Sequence, residues 1–492
     1  MPVNLPNRRA MLLTAAALAA LPAIPDLARA ATPSDTNSLD PVLLDLHRRT
    51  FDFFWETTDD ATGLTPDRWP TRAFCSIASV GYALTAYCIG VKSGYVSRAD
   101  AARRTHNTLN TFWTGKQGAE ESGCIGYKGF FYHFLTYEDG TRYKNCELSS
   151  VDTTWFLMGA LTAAAFFDGN DPAEVEIRDL ARKIYERVDW TFMLRGKDLL
   201  SMGWHPDKGL ITHDWRGYCE GMAVYLLALA SPTHAVTPKS WAAWCKTNDK
   251  SWSANWGEPH LGFWPLFGHQ YSHVWFDFRG VADAYMRGKK SDYFRNSKLA
   301  TEAQRDYAIK NPGGFKDYSG DIWGLTACDG PADIKDPKQP KKMRFRTYSA
   351  RGPVAAYDKD SFDDGTIAPT AAISSIVFTP ELSTNFVHAL RDRYGEDLYD
   401  RYGFHDAFNP SFPADLPSKY GHATPRAGWV STDYIGIDQG PILAMLENHR
   451  SGFVWETLKA NGWTGALIRT GMTRAGFTAV DANGKWLTGG QG

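Results

Sequence analysis

Hydrophobic positions along the chain fall into two alternating kinds of helical pattern. In the first kind the apolar residues make one stripe. Asp171-Pro172 opens such a segment, with an N-capping acid, proline at the first helical position and Glu174 in the first turn; Ile177, Leu180, Ala181, Ile184 and Val188 then recur at helical spacing. Stripes of this kind predict surface helices over 41–56, 97–113, 171–188, 236–246, 293–310 and 380–394. In the second kind small and apolar residues cover nearly the whole circumference, as in a helix enclosed by its neighbours. Such segments run over 74–90, 149–166, 217–230, 276–287, 367–378 and 440–449. Outer and inner helices thus alternate six times without any repeat of the sequence itself, which predicts an all-α chain folded as an (α/α)6 toroid. Alternation at the β period is scarce and is confined to short loop strands.

The beginning of the chain stands apart from this pattern. Asn7-Arg8-Arg9, an apolar run from Met11 to Ala23 and the small-x-small sequence Ala28-Arg29-Ala30 make residues 1–30 a signal peptide, too short in its apolar part to span a bilayer. The paired arginines point to twin-arginine export, with the ordinary secretory route as the alternative. Residues 31–492 contain no Ser/Gly-rich linker and no abrupt change of composition, so a single catalytic domain, periplasmic and free of the membrane once the leader is gone, is expected.

Charge removes one class of partner. The net charge is −2, whereas a nucleic-acid binder shows a basic face. The densest basic stretch, Lys335 to Arg346, is broken by proline and aspartate and reads as a solvated loop. The seven cysteines include no C-x-x-C and are too scattered for a disulfide framework. Aromatic content, with 18 Trp, 22 Tyr and 27 Phe, suits both a large helical core and the stacking of rings on pyranose C–H faces.

Polar residues gather just before the inner helices. They include Asp67-Arg68, Glu147, His213-Asp214-Trp215, His269 and His273, Asp363-Asp364, Asp433 and Asp438. If alternate helices run parallel, these groups converge on one end of the barrel. Capping accounts for some of them, notably Asp438 and Asp152, the latter three residues after Ser149. It does not account for Glu220, which stands at the mouth of a strongly apolar helix. A carboxyl there either finds a cation, such as Arg216, or keeps its proton, and a retained proton is what a general acid needs. Glycoside hydrolysis also requires a second carboxylate, for which Glu147, Asp329 and Asp406 are candidates in loops rich in glycine and aromatics. His269 and His273 share a helical face without a third ligand, so a hydrogen-bonded or sugar-contacting pair is expected rather than a metal site. No nucleotide, phosphate or serine-hydrolase motif occurs, and neither a metal nor a cofactor is expected.

A series of motifs carries a family resemblance. Gly129-Phe-Phe-Tyr-His133-Phe, Glu147-Leu-Ser-Ser-Val-Asp152-Thr, Tyr218-Cys-Glu220, Ser231-Pro-Thr-His234, Phe267-Gly-His-Gln-Tyr-Ser-His273 and Trp275-Phe-Asp277-Phe-Arg279 come in order. Gly324-Leu-Thr-Ala-Cys-Asp329-Gly-Pro, Asp364-Gly-Thr-Ile-Ala-Pro369-Thr, Tyr402-Gly-Phe-His-Asp406-Ala-Phe-Asn409 and Gly436-Ile-Asp438-Gln-Gly-Pro441 follow. This series resembles the glycoamylase-like family that includes glycoside hydrolase family 144. The resemblance implies the (α/α)6 fold, periplasmic export and inverting, often endo-acting hydrolysis of β-1,2-glucan to sophorose-type oligosaccharides. It implies Glu220 as the acid, Asp406 as the residue that activates water and Glu147 as an essential neighbour. Expected substrate contacts are Arg68, His133, Asp152, Trp215, His269, Gln270, Trp323, Asp329, Tyr402, Asn409 and Asp438, in a monomer whose partner is a β-glucan polysaccharide or oligosaccharide. Cys219 stands where the family usually has asparagine, which takes an amide away from the acid's neighbour. Competing expectations are a transglycosylase or exo-acting enzyme on the same glucan, a non-catalytic glucan-binding protein, and a polysaccharide lyase.

Overall fold

The computed structural model describes residues 39–479 apart from 197, 255, 356 and 357, so the expected signal peptide lies outside the described residues. Among the described residues fifteen helices follow one another: α1 (Pro41–Thr57), α2 (Ile77–Lys92), α3 (Arg98–Thr114), α4 (Ser150–Phe166), α5 (Pro172–Arg187), α6 (Met222–Ala230), α7 (Pro238–Cys245), α8 (Phe267–Trp275), α9 (Ala284–Gly288), α10 (Tyr293–Lys310), α11 (Pro369–Ile373), α12 (Pro380–Tyr394), α13 (Gly436–Ser451), α14 (Phe453–Ala460) and α15 (Gly462–Arg474). The amphipathic members begin where side chains take up free backbone N–H groups. Asp40, Ser97, Asp171 and Asp292 each accept from the first turns of α1, α3, α5 and α10. None of the described helices is long and apolar enough to cross a membrane.

The enclosed helices α2, α4 and α13 form the tightest part of the core. All but two residues of α2 and all but two of α4 are buried. Their backbones meet at a pair of glycines: a Cβ added to Gly81 would fall 2.2 Å from the Trp155 carbonyl oxygen, and one added to Gly159 would fall 2.0 Å from the Gly81 carbonyl oxygen. Short antiparallel strands precede these helices. Cys75–Ser76 leads into α2, Leu148–Ser149 into α4 and Tyr434–Ile435 into α13. The largest sheet has five strands, in the order Gly209–Leu210, Gly203–His205, Leu148–Ser149, Phe130–Tyr132 and Gly126–Tyr127.

Three expectations are corrected. The segment 276–287 is not the fourth inner helix; the enclosed helix is α8, which stops at Trp275 because Phe276 is extended and Gly280 turns at a φ of 67°. The segment 217–230 begins its helix only at Met222, since Gly217 adopts a φ of 76° and the chain turns through Glu220. The segment 367–378 contracts to α11 followed by turns. A fourth difference concerns partnership: α6 lies mainly against the C-terminal α15 and far less against α7. The chain is therefore helix-rich rather than purely α, with its strands confined to short pieces in the loops.

Gly81→Ala is expected to destabilise the fold by about 1–3 kcal/mol, because neither backbone can retreat from the new methyl group without opening the inner packing. Chemical denaturation measures this, and an unchanged midpoint would show that α2 and α4 separate at no cost.

Candidate active site

The strand-to-helix junctions before α2, α4 and α13 bring a set of carboxylates together, divided between two cations. On one side stands His133. Its Nδ1 meets Glu147 Oε1 at 2.8 Å and its Nε2 meets Asp152 Oδ2 at 3.5 Å. Burial alone would lower the imidazole pKa, yet Asp152, Glu147 and Asp67 outweigh it and lift His133 to about 9. Burial pushes Glu147 up, but the hydrogen bond and charge of His133 hold it at about 2. Asp152 also belongs to the helix start: its N–H donates to Ser149 Oγ at 3.1 Å, and the same hydroxyl donates to Asp152 Oδ2 at 2.5 Å. Capping and chemistry thus share one residue.

On the other side stands Arg68, carried by a two-residue ribbon in which Arg68–Trp69 pairs with Tyr434–Ile435. Arg68 Nη1 donates to both oxygens of Asp329, at 3.1 and 3.0 Å, and meets Asp433 at 3.5 Å, while Nε donates to Asp67 Oδ2 at 3.4 Å. Asp329 is further held by Ser431 Oγ at 3.0 Å, and its own N–H donates to Asp406 Oδ2 at 2.7 Å. Burial, then the charges of Asp438 and Asp329, push Asp406 well above the usual carboxylate range. Burial raises Asp438 to about 7, and Tyr271 donates its hydroxyl to Asp438 Oδ1 at 3.3 Å. A hydroxyl donated to Asp438 favours its ionised form, so the proton of this interacting pair rests on Asp406 and the charge on Asp438. Asp406 Oδ1 and Asp438 Oδ2 are buried with no hydrogen-bond partner among the described residues.

Glu220 completes the set from a turn rather than a helix. Gly221 packs so close to Trp215 that a Cβ there would fall 2.9 Å from the indole, and Trp215 Nε1 donates to Ser150 Oγ at 2.9 Å at the start of α4. Tyr218 Oη meets His269 Nδ1 at 3.0 Å, while His269 Nε2 lies 3.1 Å from the Phe263 carbonyl oxygen. Burial holds His269 at about 3, so it is neutral; Nε2 donates to the carbonyl and Nδ1 accepts from the tyrosine. Burial, and in smaller part the Asp152 charge, raise Glu220 to about 7. Its Oε2 is likewise buried without a partner among the described residues. Among the described residues no cation pairs with it, and Arg216 meets Asp214 instead, at 3.8 Å.

The structure divides the expected site residues. Glu220, Glu147, Asp406, Arg68, His133, Asp152, Asp329 and Asp438 come together, and Trp215 and His269 support them from behind. Four of the expected contacts are engaged within the fold or stand apart from the cluster. Gln270 Nε2 is spent on the Ala371 carbonyl oxygen and Ser375 Oγ, at 2.7 and 2.8 Å, joining α8 to α11. Trp323 is fully buried against Phe386. Asn409 donates to the Asp364 carbonyl oxygen and Thr366 and accepts from Ser411, so it fastens loops. Tyr402 lies elsewhere, with its hydroxyl on Glu56 at 2.9 Å. Residues that pattern reading passed over include Tyr82, whose buried hydroxyl feels Asp438 and Asp152 and has no partner among the described residues, and Tyr271. Half-exposed Tyr348 faces the same carboxylates from a loop. A tyrosine inside an otherwise apolar inner helix was the available signal for Tyr82.

His273, like His269, is buried and neutral, with Nε2 at 3.1 Å from Ser297 Oγ. Among the described residues, His133, Glu147 and Asp152 are the group that could hold a metal ion, with one donor atom each within 4.8 Å of one another. The imidazolium already supplies the positive charge there. All seven cysteines are free thiols.

The polar cluster thus holds one acid protonated near neutrality, Glu220, and one proton-sharing pair, Asp406 and Asp438. A family model described as "Putative glucoamylase" matches residues 212–462, just over half of the chain. The chain belongs to the Glycoamylase family. A solved structure from Bacteroides uniformis with that same description is 28% identical, covers 90% of this chain and 98% of its own, and superposes with a TM-score of 0.73. An endo-β-1,2-glucanase from Chitinophaga pinensis, 24% identical over 90% of this chain and 99% of its own, shares the fold at a TM-score of 0.73. A curated relative from Parabacteroides distasonis, an exo β-1,2-glucooligosaccharide sophorohydrolase acting at the non-reducing end, is 26% identical over 452 residues. That match takes in 85% of this chain but 56% of the relative, so the chain spans little more than half the length of the curated relative. In this Glycoamylase-family chain the family model begins at Thr212, which puts Glu220, Asp329, Asp406 and Asp438 inside it and His133, Glu147 and Asp152 before it.

Because His133 is lifted from 6.5 to about 9, its charge stabilises the fold fully below pH 6.5, and that contribution is lost as pH rises through about 9. The stability gap between the natural chain and His133→Gln is therefore expected to be widest near about pH 6 and to narrow toward about pH 9.5. Urea unfolding at the two pH values reads it. An equal gap at both would mean that the imidazole is uncharged in the fold.

Proposed function

We propose that this chain is an exported, periplasmic glycoside hydrolase that cleaves β-1,2-glucan to sophorose-type oligosaccharides, acting as a monomer on an (α/α)6 toroid. The observation that carries the chemistry is Glu220, a carboxyl without a cation whose burial keeps it protonated up to about pH 7. Glu220 donates its proton to the glycosidic oxygen as the bond to the anomeric carbon breaks. Asp438, with its charge steadied by Tyr271 and shared with Asp406, takes a proton from the water that attacks that carbon on the other face, which inverts its configuration. Asp406 is thus a partner of the base rather than the sole base. Arg68 orients Asp329, and Asp329 in turn holds Asp406 through its backbone N–H. The unpartnered oxygen of Glu220 is the atom for the glycosidic oxygen, and the proton-sharing Asp406–Asp438 pair is the place for the water.

The substrate is supported by the motif series and by the relatives' named activities on β-1,2-linked glucose. Endo action is the primary reading. The sophorose-releasing relative supports exo action as the second. Chromatography of products from linear β-1,2-glucan separates them: mixed oligosaccharides at early times mean endo action, disaccharide alone means exo action, and chains longer than the substrate mean transglycosylation. Binding without release of reducing ends would make the chain a glucan-binding protein.

Glu220→Gln is expected to lower kcat at least ~10²-fold with a smaller change in KM. Near-natural turnover in that variant would remove Glu220 from proton donation. The rate is expected to follow a narrow bell around neutrality, falling below pH about 7 as Asp438 gains its proton and above pH about 7 as Glu220 loses its own. A rate that stays flat from about pH 5 to about pH 9 would contradict both assignments.

A further inference from the structure

On the other side of the Arg68–Trp69 ribbon from the carboxylates lies a cavity of about 550 Å³ lined by Trp55, Glu56, Trp69, Arg104, Arg401 and Tyr402. Successive residues of a strand point to opposite faces, so the turn of Arg68 toward Asp329 sends Trp69 into this cavity. The cavity's walls are held in place before any ligand arrives. The Arg104 guanidinium lies 3.9 Å from the Trp55 ring centroid, donates to the Trp55 carbonyl oxygen at 2.5 Å and pairs with Asp60 at 2.7 Å. Glu56 Oε2 accepts from the Tyr402 hydroxyl at 2.9 Å and from Arg401 at 3.0 and 2.6 Å. All three of these bonds fall on one oxygen, and Oε1 accepts from no donor among the described residues.

The chemistry of this lining selects a ligand class. Each guanidinium already meets a carboxylate, so the cavity holds no unpaired cation to draw an anion. The half-buried Trp69 indole offers an apolar face of the size of a pyranose ring, beside Trp55, whose ring already carries the Arg104 guanidinium and packs on Phe51. Beside them stand a carboxylate oxygen and guanidinium N–H groups, acceptors and donors for ring hydroxyls. The volume falls within the range of small-ligand sites. None of the six residues belongs to the carboxylate cluster, and the pocket shares only the ribbon with it.

We propose that this pocket is a second carbohydrate site, which takes a neutral glucan and holds a stretch of the same chain whose scissile bond lies in the cleft. The identity of that glucan rests on the reading given under Proposed function. Engagement of both sites by one polymer raises the effective concentration of chain at the cleft, whereas an oligosaccharide too short to reach across the ribbon gains nothing.

Steady-state kinetics of the full chain test this with two substrates, linear β-1,2-glucan and the β-1,2-linked glucose tetrasaccharide. Trp69→Ala is expected to raise KM for the polymer about tenfold while leaving the tetrasaccharide unaffected. Because Trp69 neighbours Arg68, Arg401→Ala serves as a second variant; its side chain is 70% exposed, and it is expected to shift the same polymer KM in the same direction. An unchanged polymer KM in both variants, or an equal loss on both substrates, overturns the proposal. A binding readout stands apart from hydrolysis: Glu220→Gln migrating in native gels cast with β-1,2-, β-1,3- or α-1,4-glucan. Retardation by β-1,2-glucan that Trp69→Ala abolishes supports the site. Retardation by a different glucan, again abolished by Trp69→Ala, keeps the site and overturns only the β-1,2 assignment. Retardation that survives in both pocket variants, or none with any glucan, overturns the site.

Discussion

Burying several carboxyl groups together at the ends of apolar helices is the constraint on which the rest of this protein depends. Like charges in a weakly polar setting cannot all be ionised, so each must be paired with a cation, hydrogen-bonded or left protonated. The structure uses all three answers. Glu147 is paired with His133, Asp329 is gripped by Arg68, and Glu220 and Asp406 keep their protons. The same crowding that costs folding free energy therefore sorts chemically identical groups into acids and bases.

That sorting requires a rigid frame, and the helices supply it. Glycine at 81 and 159 lets α2 and α4 approach until carbonyl oxygens define the contact, which fixes where their first turns lie. Short strands then deliver the chain into those turns at set registers, Leu148 opposite both Tyr132 and Trp204, and Arg68 opposite Ile435. Behind the site, neutral His269 and Trp215 spend their polar atoms on the protein, so they hold the Glu220 turn without adding charge to it. The aromatic abundance also resolves into distinct uses: Trp323 and Trp275 fill the core, Tyr82 and Tyr271 bring hydroxyls to the acids, and Trp55 and Trp69 line the outer pocket.

Local signals were legible wherever a single segment carried them. The amphipathic stripes placed α1, α3, α5, α10 and α12 almost to the residue, because a one-sided apolar face, joined in all but α12 by a capping side chain, is a property of the segment itself. The enclosed helices were harder. A run such as 276–287 is apolar whether it is a helix or a buried loop, and a glycine turn together with packing decided against the helix. The pairing of α6 with the C-terminal α15 was invisible for a similar reason: nothing in either segment specifies its partner.

The chain by itself determined that a helix-rich fold would gather acids before its inner helices, and that Glu220 stood where no cap was needed. It also put Arg68 and Asp438 among the polar residues before the inner helices and Asp329 among the candidate second carboxylates, while His133 entered through the family resemblance alone. What only the tertiary structure decided is which acid meets which cation, and hence which acid keeps a proton. Asp329 and Asp406 look alike as letters in two loops, yet Arg68 reaches the first and Asp438 lies against the second. Gln270, Trp323 and Asn409 looked like substrate contacts for the same reason, until neighbours distant in the chain claimed their polar groups or buried them. Proton affinity depends on distances between such segments, and those distances exist only after the helices have packed.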